Sequence, residues 1–292
     1  MKTKKVLFGL MAASAALLVL AACGNSGSNS SSMSGKIIAG GSTALQPLAQ
    51  VASTEFMTKN PNVQVTVQGG GSGVGLTQVS AGQFQIGNSD IFAEEKSGID
   101  ASKLTDNKVA VVGFAAVVNS KNAVSNLTMQ QLTDIFTGKI TNWKEVGGSD
   151  LAITVVGRTA GSGTRVNFDK FALGGATEKT SATQDASGAV ATLVAQTPGA
   201  ISYVAFSILD TNSGIKAVSL GGVKPTNENV TTNAYKVWSY EHMYLLTGKA
   251  TASEKAFVDA VKTDKKDLEK LGYIAISDMK VERSADGTLV KK

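Results

Sequence analysis

One cysteine and one histidine occur in 292 residues. A single thiol excludes an internal disulfide, and a lone histidine without a cysteine cluster leaves no zinc-binding pattern. No block of basic residues with interleaved aromatics appears, so nothing indicates a nucleic-acid surface. No Gly-x-Gly-x-x-Gly is present, and Gly138-Lys139 and Gly248-Lys249 lack the upstream glycine of a P-loop. Dinucleotide and nucleotide sites are therefore unsupported. Gly-x-Ser-x-Gly is missing too, and no carboxylate cluster is evident. Ser277-Asp278-Met279-Lys280 fits Ser-x-x-Lys but has none of the companion motifs. A hydrolase would need a nucleophile with a nearby base, or metals.

What is present begins with a charge asymmetry. Lys2, Lys4 and Lys5 precede an apolar run from Val6 to Leu20, suited to a signal-peptide core and short for a membrane span. No later segment is long and apolar enough to cross a bilayer. Net charge is +5, but without those three lysines 25 Lys+Arg face 23 Asp+Glu. The basic balance therefore belongs partly to the leader. The run ends at Leu20-Ala21-Ala22-Cys23-Gly24, small residues before a lone cysteine, which resembles a bacterial lipobox. That resemblance makes residues 1–22 a signal peptide and Cys23 the lipid attachment site, anchoring the protein to a membrane surface. Gly24 to Gly35 is almost wholly Ser, Gly and Asn, so 23–35 reads as a lipidated flexible tether.

The remaining length suffices for one large or two smaller domains. Its pattern alternates strands with helices. Leu45, Leu48, Ala52 and Phe56 recur at helical spacing, and Val63, Val65 and Val67 alternate like a half-buried strand. Val109 to Val118 is a continuous apolar run, expected to be a fully buried strand. Ala252 to Leu271 is expected to be one amphipathic helix, and the polar tail 286–292 to fray. His242 and Trp143 read as structural.

Three strand-to-helix junctions share one composition: Gly40-Gly41-Ser42-Thr43, Gly71-Ser72-Gly73 and Gly161-Ser162-Gly163-Thr164. Taken alone, Arg158 to Thr164 reads equally as an anion cradle at a helix N-terminus or as a turn capped by Ser162 or Thr164. In an α/β sheet such loops gather at the C-terminal ends of strands, where they can converge on one ligand. Three coincident loops rich in N–H and O–H donors favour an oxyanion.

Six stretches carry a resemblance to a known family. They are Gly41-Ser42-Thr43-Ala44-Leu45-Gln46-Pro47, Gly70-Gly71-Ser72-Gly73, Asn88-Ser89-Asp90, Ile135 through Trp143, Arg158 with Ser162-Gly163-Thr164, and Thr197 through Tyr203. Together they resemble the phosphate-binding lipoproteins of Pst-type phosphate ABC transporters. The resemblance implies an α/β, two-lobed periplasmic-binding-protein-like fold (type II solute-binding protein) with crossing hinge strands. It places lobe 1 in residues 36–114 and 238–285, and lobe 2 in 115–237. It also implies a phosphate site made of Thr43, Ala44, Ser72, Asp90, Arg158, Ser162, Gly163 and Thr164.

The function so implied is capture of inorganic phosphate outside the cytoplasm and its delivery to the permease and ATPase subunits of an ABC importer. The protein would be a lipid-anchored monomer without catalytic residues, cofactor or metal. Alternatives are another tetrahedral oxyanion such as sulfate, or an extracellular phosphate-ester hydrolase. Asp90 argues against sulfate, because a buried carboxylate accepts the proton that phosphate keeps and sulfate lacks. One departure stands out: the acidic residue that family members often carry two positions after the arginine is here Ala160. The sequence names no partner that orients Arg158 and no role for Arg165.

Overall fold

The computed structural model describes residues 33–209, 214–262 and 265–292. The expected signal peptide, Cys23 and most of the tether lie outside the described residues.

Elements follow the expected alternation. β1 (Gly35–Gly41) leads through a Ser-Thr turn into α1 (Gln46–Lys59), which has Pro47 in its first turn and buries Leu48, Ala49, Ala52 and Phe56. Proline suits that position, where its missing N–H would have no helical partner. β2 (Val63–Gln68), α2 (Ser72–Ser80) and β3 (Ile86–Ser89) come next. β4 (Leu104–Asn119) spans 16 residues, buried throughout from Val109 to Asn119. β5 (Asn126–Leu127) precedes α3 (Met129–Phe136), whose N-terminus is closed by a reciprocal Thr128–Gln131 capping box.

Then come β6 (Thr154–Arg158), α4 (Gly163–Phe171), β7 (Ala182–Gln184), α5 (Ser187–Gln196), β8 (Ala200–Ala205) and α6 (Phe206–Leu209). The chain finishes with β9 (Ile215–Ala217), β10 (Ser219–Leu220), α7 (Asn227–Thr231) and β11 (Trp238–Leu246). After these stand α8 (Ala252–Val261), α9 (Lys265–Lys270), β12 (Val281–Arg283) and β13 (Leu289–Lys291).

Among the described residues the main sheet runs β2-β1-β3-β11-β4-β8-β6-β7, with β9 also on β4. The two outer sets, β2-β1-β3 and β8-β6-β7, are each parallel. Between them β11 lies antiparallel to both β3 and β4. β4 changes partner along its length: Leu104 to Gly113 pair with β11, and Phe114 to Val118 pair with β8. At roughly 3.3 Å per residue it runs about 50 Å. The long apolar run is thus a strand buried by both halves of the sheet, and the fold is of the expected α/β class.

Two expectations change. The helix expected over Ala252 to Leu271 is two helices, α8 and α9. No apolar residue falls between Val261 and Leu268, so no hydrophobic stripe carries one helix through. The C-terminal tail does not fray, because β13 pairs with β12. This hairpin is fixed by Arg283, which is sandwiched 3.9 Å from both the Phe171 and Trp238 rings. Its guanidinium donates to the carbonyls of Trp238 and Lys236. Cation–π stacking and backbone capture together hold a polar segment that composition alone leaves loose.

Candidate anion-binding site

The site is built where β1, β3 and β6 end. After β1, Ser42 turns inward and its hydroxyl accepts from the N–H groups of Ala44 (3.1 Å) and Leu45 (3.0 Å). That turn presents Thr43. Its Oγ1 accepts from Arg158 Nη2 (3.2 Å) and from the Ser187 N–H (3.2 Å), and lies 3.0 Å from Ser187 Oγ. After β2, Gly71 takes a positive φ of 89°, a conformation open to glycine, and starts α2. Ser72 is then aimed inward, and its Oγ accepts from the Asp90 N–H (2.9 Å).

Asp90 follows β3 and is only 2% exposed. Its Oδ2 accepts from Thr164 Oγ1 (2.9 Å), and its carbonyl accepts from Asn167 Nδ2 (2.8 Å). Oδ1 has no hydrogen-bond partner among the described residues.

The third loop is a capped turn, and its geometry is also compatible with an anion cradle. Ser162 is the N-cap of α4, its hydroxyl accepting from the Arg165 N–H (3.3 Å). The N–H groups of Gly163 and Thr164 sit in the first turn, where a helix has no internal partners for them. Capping and anion holding use different donors, so they do not compete. Gly163 packs so closely on Ser72 that a Cβ there would collide with the serine hydroxyl. Gly73 N–H donates to Gly161 O (2.9 Å), so the second and third loops close directly on each other.

Arg158 ends β6 and is 1% exposed. Ala160 poses no difficulty, because backbone carbonyls hold the guanidinium. Nε donates to Gln184 O (3.2 Å), Nη2 to Asp185 O (2.7 Å) and Nη1 to Ser187 Oγ (3.2 Å). These acceptors fix the planar fork without neutralising it. Burial pulls the Arg158 pKa below its ordinary value, and Tyr203, Asp90, Asp185 and Glu178 oppose that shift. Arginine keeps its charge even so.

Arg165 is taken up by other groups. Its Nη1 donates to Arg158 O (2.9 Å), and its Nε lies 3.4 Å from Asp169 Oδ2 and 3.6 Å from Glu178 Oε2. It braces the strand end from behind.

Glu178 is buried beside this brace, and burial pushes its pKa up to about 7. The folded state therefore favours the protonated form, and stability falls as pH rises from about 4.5 through 7. Asp169 and Glu241 are raised by burial in the same direction. Thermal midpoints should decline between about pH 5 and pH 8, and Glu178→Gln should remove part of that decline. An unchanged pH profile in the variant would dismiss Glu178 as a source.

The expected residues Thr43, Ala44, Ser72, Asp90, Arg158, Ser162, Gly163 and Thr164 thus come together. Ala44 takes part through its backbone. Its N–H is taken by Ser42, and its carbonyl accepts from Ser207 and Tyr273 hydroxyls. Four buried residues were not foreseen: Ser187, Asn88, Glu178 and Glu241. Ser187 could have been found, since it opens another strand-to-helix junction with Gly188 behind it. The side-chain amide of Asn88 has no hydrogen-bond partner among the described residues. His242 is buried and bonded to Asp106 (2.8 Å), as a structural histidine would be. Trp143 is core, donating to Gly199 O (3.0 Å).

A buried cation, a cluster of hydroxyl and N–H donors, and one carboxylate, enclosed at strand ends, define a binding protein for a small oxyanion. A family model described as the PBP superfamily domain matches residues 26–264. The phosphate-binding protein PstS of Bacillus subtilis (strain 168) is 49% identical, covering 98% of each chain. A Clostridium perfringens structure, described as a phosphate ABC transporter substrate-binding protein with bound phosphate, superposes with TM-score 0.77. It is 32% identical and covers 83% of this chain and 100% of that one. A phosphate transport receptor from Vibrio cholerae gives 0.66 at 28% identity, covering 82% and 99%. The chain belongs to the PBP superfamily and, within it, to the PstS family of phosphate-binding proteins. That family comprises transport receptors, not enzymes, and the hydrolase reading is set aside on that ground.

Proposed function

We propose that this protein captures inorganic phosphate outside the cytoplasm and delivers it to an ABC importer. The observation that carries the reading is that a buried cation, Arg158, and a buried carboxylate, Asp90, stand at one site among neutral donors. Phosphate near neutral pH keeps at least one proton, which Asp90 accepts. Arg158 offers two oxygens a planar fork. Thr43, Ser72, Gly163, Thr164 and Ser187 supply neutral dipoles around them.

The two lobes of the proposal are residues 36–114 with 238–285, and residues 115–237. Supporting it are the contacts that join these segments at the site: Arg158 to Thr43, Thr164 to Asp90, and Gly73 to Gly161. Binding then works by closure, with an anion touching both lobes favouring the closed state. Cys23 carries the lipid anchor, residues 23–35 are the tether, and the permease and ATPase subunits receive the anion from a monomeric carrier. The names of the Clostridium and Vibrio relatives support the transporter context, and the lipobox pattern supports the anchor.

Titration calorimetry of the purified protein with phosphate and with sulfate tests the ligand. Phosphate should bind at least about a hundredfold more tightly near neutral pH. Equal affinity would sink the phosphate reading.

A further inference from the structure

Glu241 has no role yet in the site, although it is 0% exposed in the middle of the sheet. Its place follows from register. β11 pairs antiparallel with β3 through His242↔Ser89 and Met243↔Asn88. One step further along the same ladder sets Glu241 opposite Asp90. On its other side β11 pairs Glu241 with Ala110 of β4, and the register shifts between Glu241 and His242. Directly opposed residues have Cβ atoms about 5 Å apart, and two like charges there repel.

The unmet hydrogen bonds match this placement. Neither carboxyl oxygen of Glu241 has another partner among the described residues, and Asp90 Oδ1 lacks one as well. Two buried carboxyl groups can satisfy each other only when one of them holds a proton.

We propose that Glu241 is a positioning residue that keeps its proton at neutral pH and donates it to Asp90 Oδ1, leaving Asp90 as the accepting carboxylate of the site. The division of labour follows from surroundings. Asp90 has Thr164 donating to Oδ2, the Asn167 amide on its carbonyl, and Arg158 acting on it. Glu241 has no such donor. The titratable groups facing it are Asp90, from the end of β3, and Tyr273, from the turn after α9. The Tyr273 hydroxyl is committed to Ala44 O. Nearby, the His242 ring is bonded to Asp106, and Lys108 lies over the Phe92 and Tyr240 rings. Burial, and then the Asp90 charge, push the Glu241 pKa well above the carboxylate range, in keeping with this arrangement.

A neutral Glu241 makes anion choice depend on a residue behind the site. With the proton on Glu241, Asp90 accepts from phosphate and rejects sulfate. Without that donor, Asp90 Oδ1 loses its partner, and the acceptor that separates phosphate from sulfate is no longer held in place.

The test compares full-length wild type with Glu241→Gln and Glu241→Leu. Phosphate and sulfate affinities are measured from about pH 6 to pH 8. Glutamine retains a donor, so its phosphate-to-sulfate ratio should stay within about threefold of wild type across the range. Leucine removes the donor, and its ratio should fall about tenfold or more. Infrared difference spectra supply a readout that needs no ligand: wild type at pH 7 should show a protonated-carboxyl band that Glu241→Gln lacks. The selectivity arm rests on the phosphate reading, whereas the infrared arm does not. Failure of wild type to bind phosphate would thus fault that reading alone. Absence of the band, or a glutamine variant as impaired in selectivity as leucine, overturns the role of Glu241. Should the leucine variant fail to fold, the infrared comparison with glutamine still decides.

Discussion

Arg158→Met should lower phosphate affinity by at least about a hundredfold, while the ligand-free protein stays as stable as wild type or becomes more so. Breaking a buried charge pair by removing one partner costs about 3–5 kcal/mol, and each 1.4 kcal/mol is tenfold in affinity. Arg158 is 1% exposed, and the groups its guanidinium donates to are carbonyl and hydroxyl oxygens. None of these neutralises it, so burying the cation is costly until an anion arrives. Methionine matches much of its length and removes that cost. The opposite signs of the two effects separate a binding role from a folding role. Calorimetry reads the affinity and thermal melting reads the stability. Affinity within about threefold of wild type would exclude Arg158 from ligand contact.

Asp90→Asn should collapse the preference for phosphate over sulfate, by about a hundredfold or more. The carboxylate accepts through both oxygens and has no proton to give, so a fully ionised anion finds repulsion there. An amide of the same shape offers a donor in its place and removes the charge. Its carbonyl oxygen can still accept from Glu241, and the Asp90 N–H to Ser72 Oγ is untouched. Phosphate should weaken while sulfate strengthens, so the ratio is the informative quantity. A ratio unchanged from wild type would take selectivity away from Asp90.

Of those two residues only Arg158 is marked by a local signal, and Asp90 is assigned through the family resemblance. Asp90 ends a short strand after Asn-Ser, and Arg158 precedes a glycine-hydroxyl loop. What was not legible has a common physical cause. Arg158 is held by the carbonyls of Gln184 and Asp185, and a backbone carbonyl is present at every residue. No letter of the sequence could announce that brace. Glu241 faces Asp90 only because β11 inserts between β3 and β4, and Glu178 meets Arg165 only across a tertiary contact. Strand and helix types were readable from periodicity, whereas the exchange of partner at Gly113 and Phe114 required the assembled sheet. The C-terminal hairpin escaped for the same reason: its anchor is Arg283 between two rings that are distant in sequence.

The insertion of β11 also imposes an order of events on folding. β3 and β4 are complete by Asn119, yet the strand that joins them begins at Trp238. Until it arrives, each presents an unpaired edge of N–H and C=O groups, the kind of surface that recruits other chains. Pairing His242 with Ser89 closes a loop of about 150 residues, and contacts that distant in sequence are among the slow ones. The turn bearing Asp90 is therefore completed late, and a nascent chain that ends before Trp238 holds most of the binding residues without the strand that locks them in place.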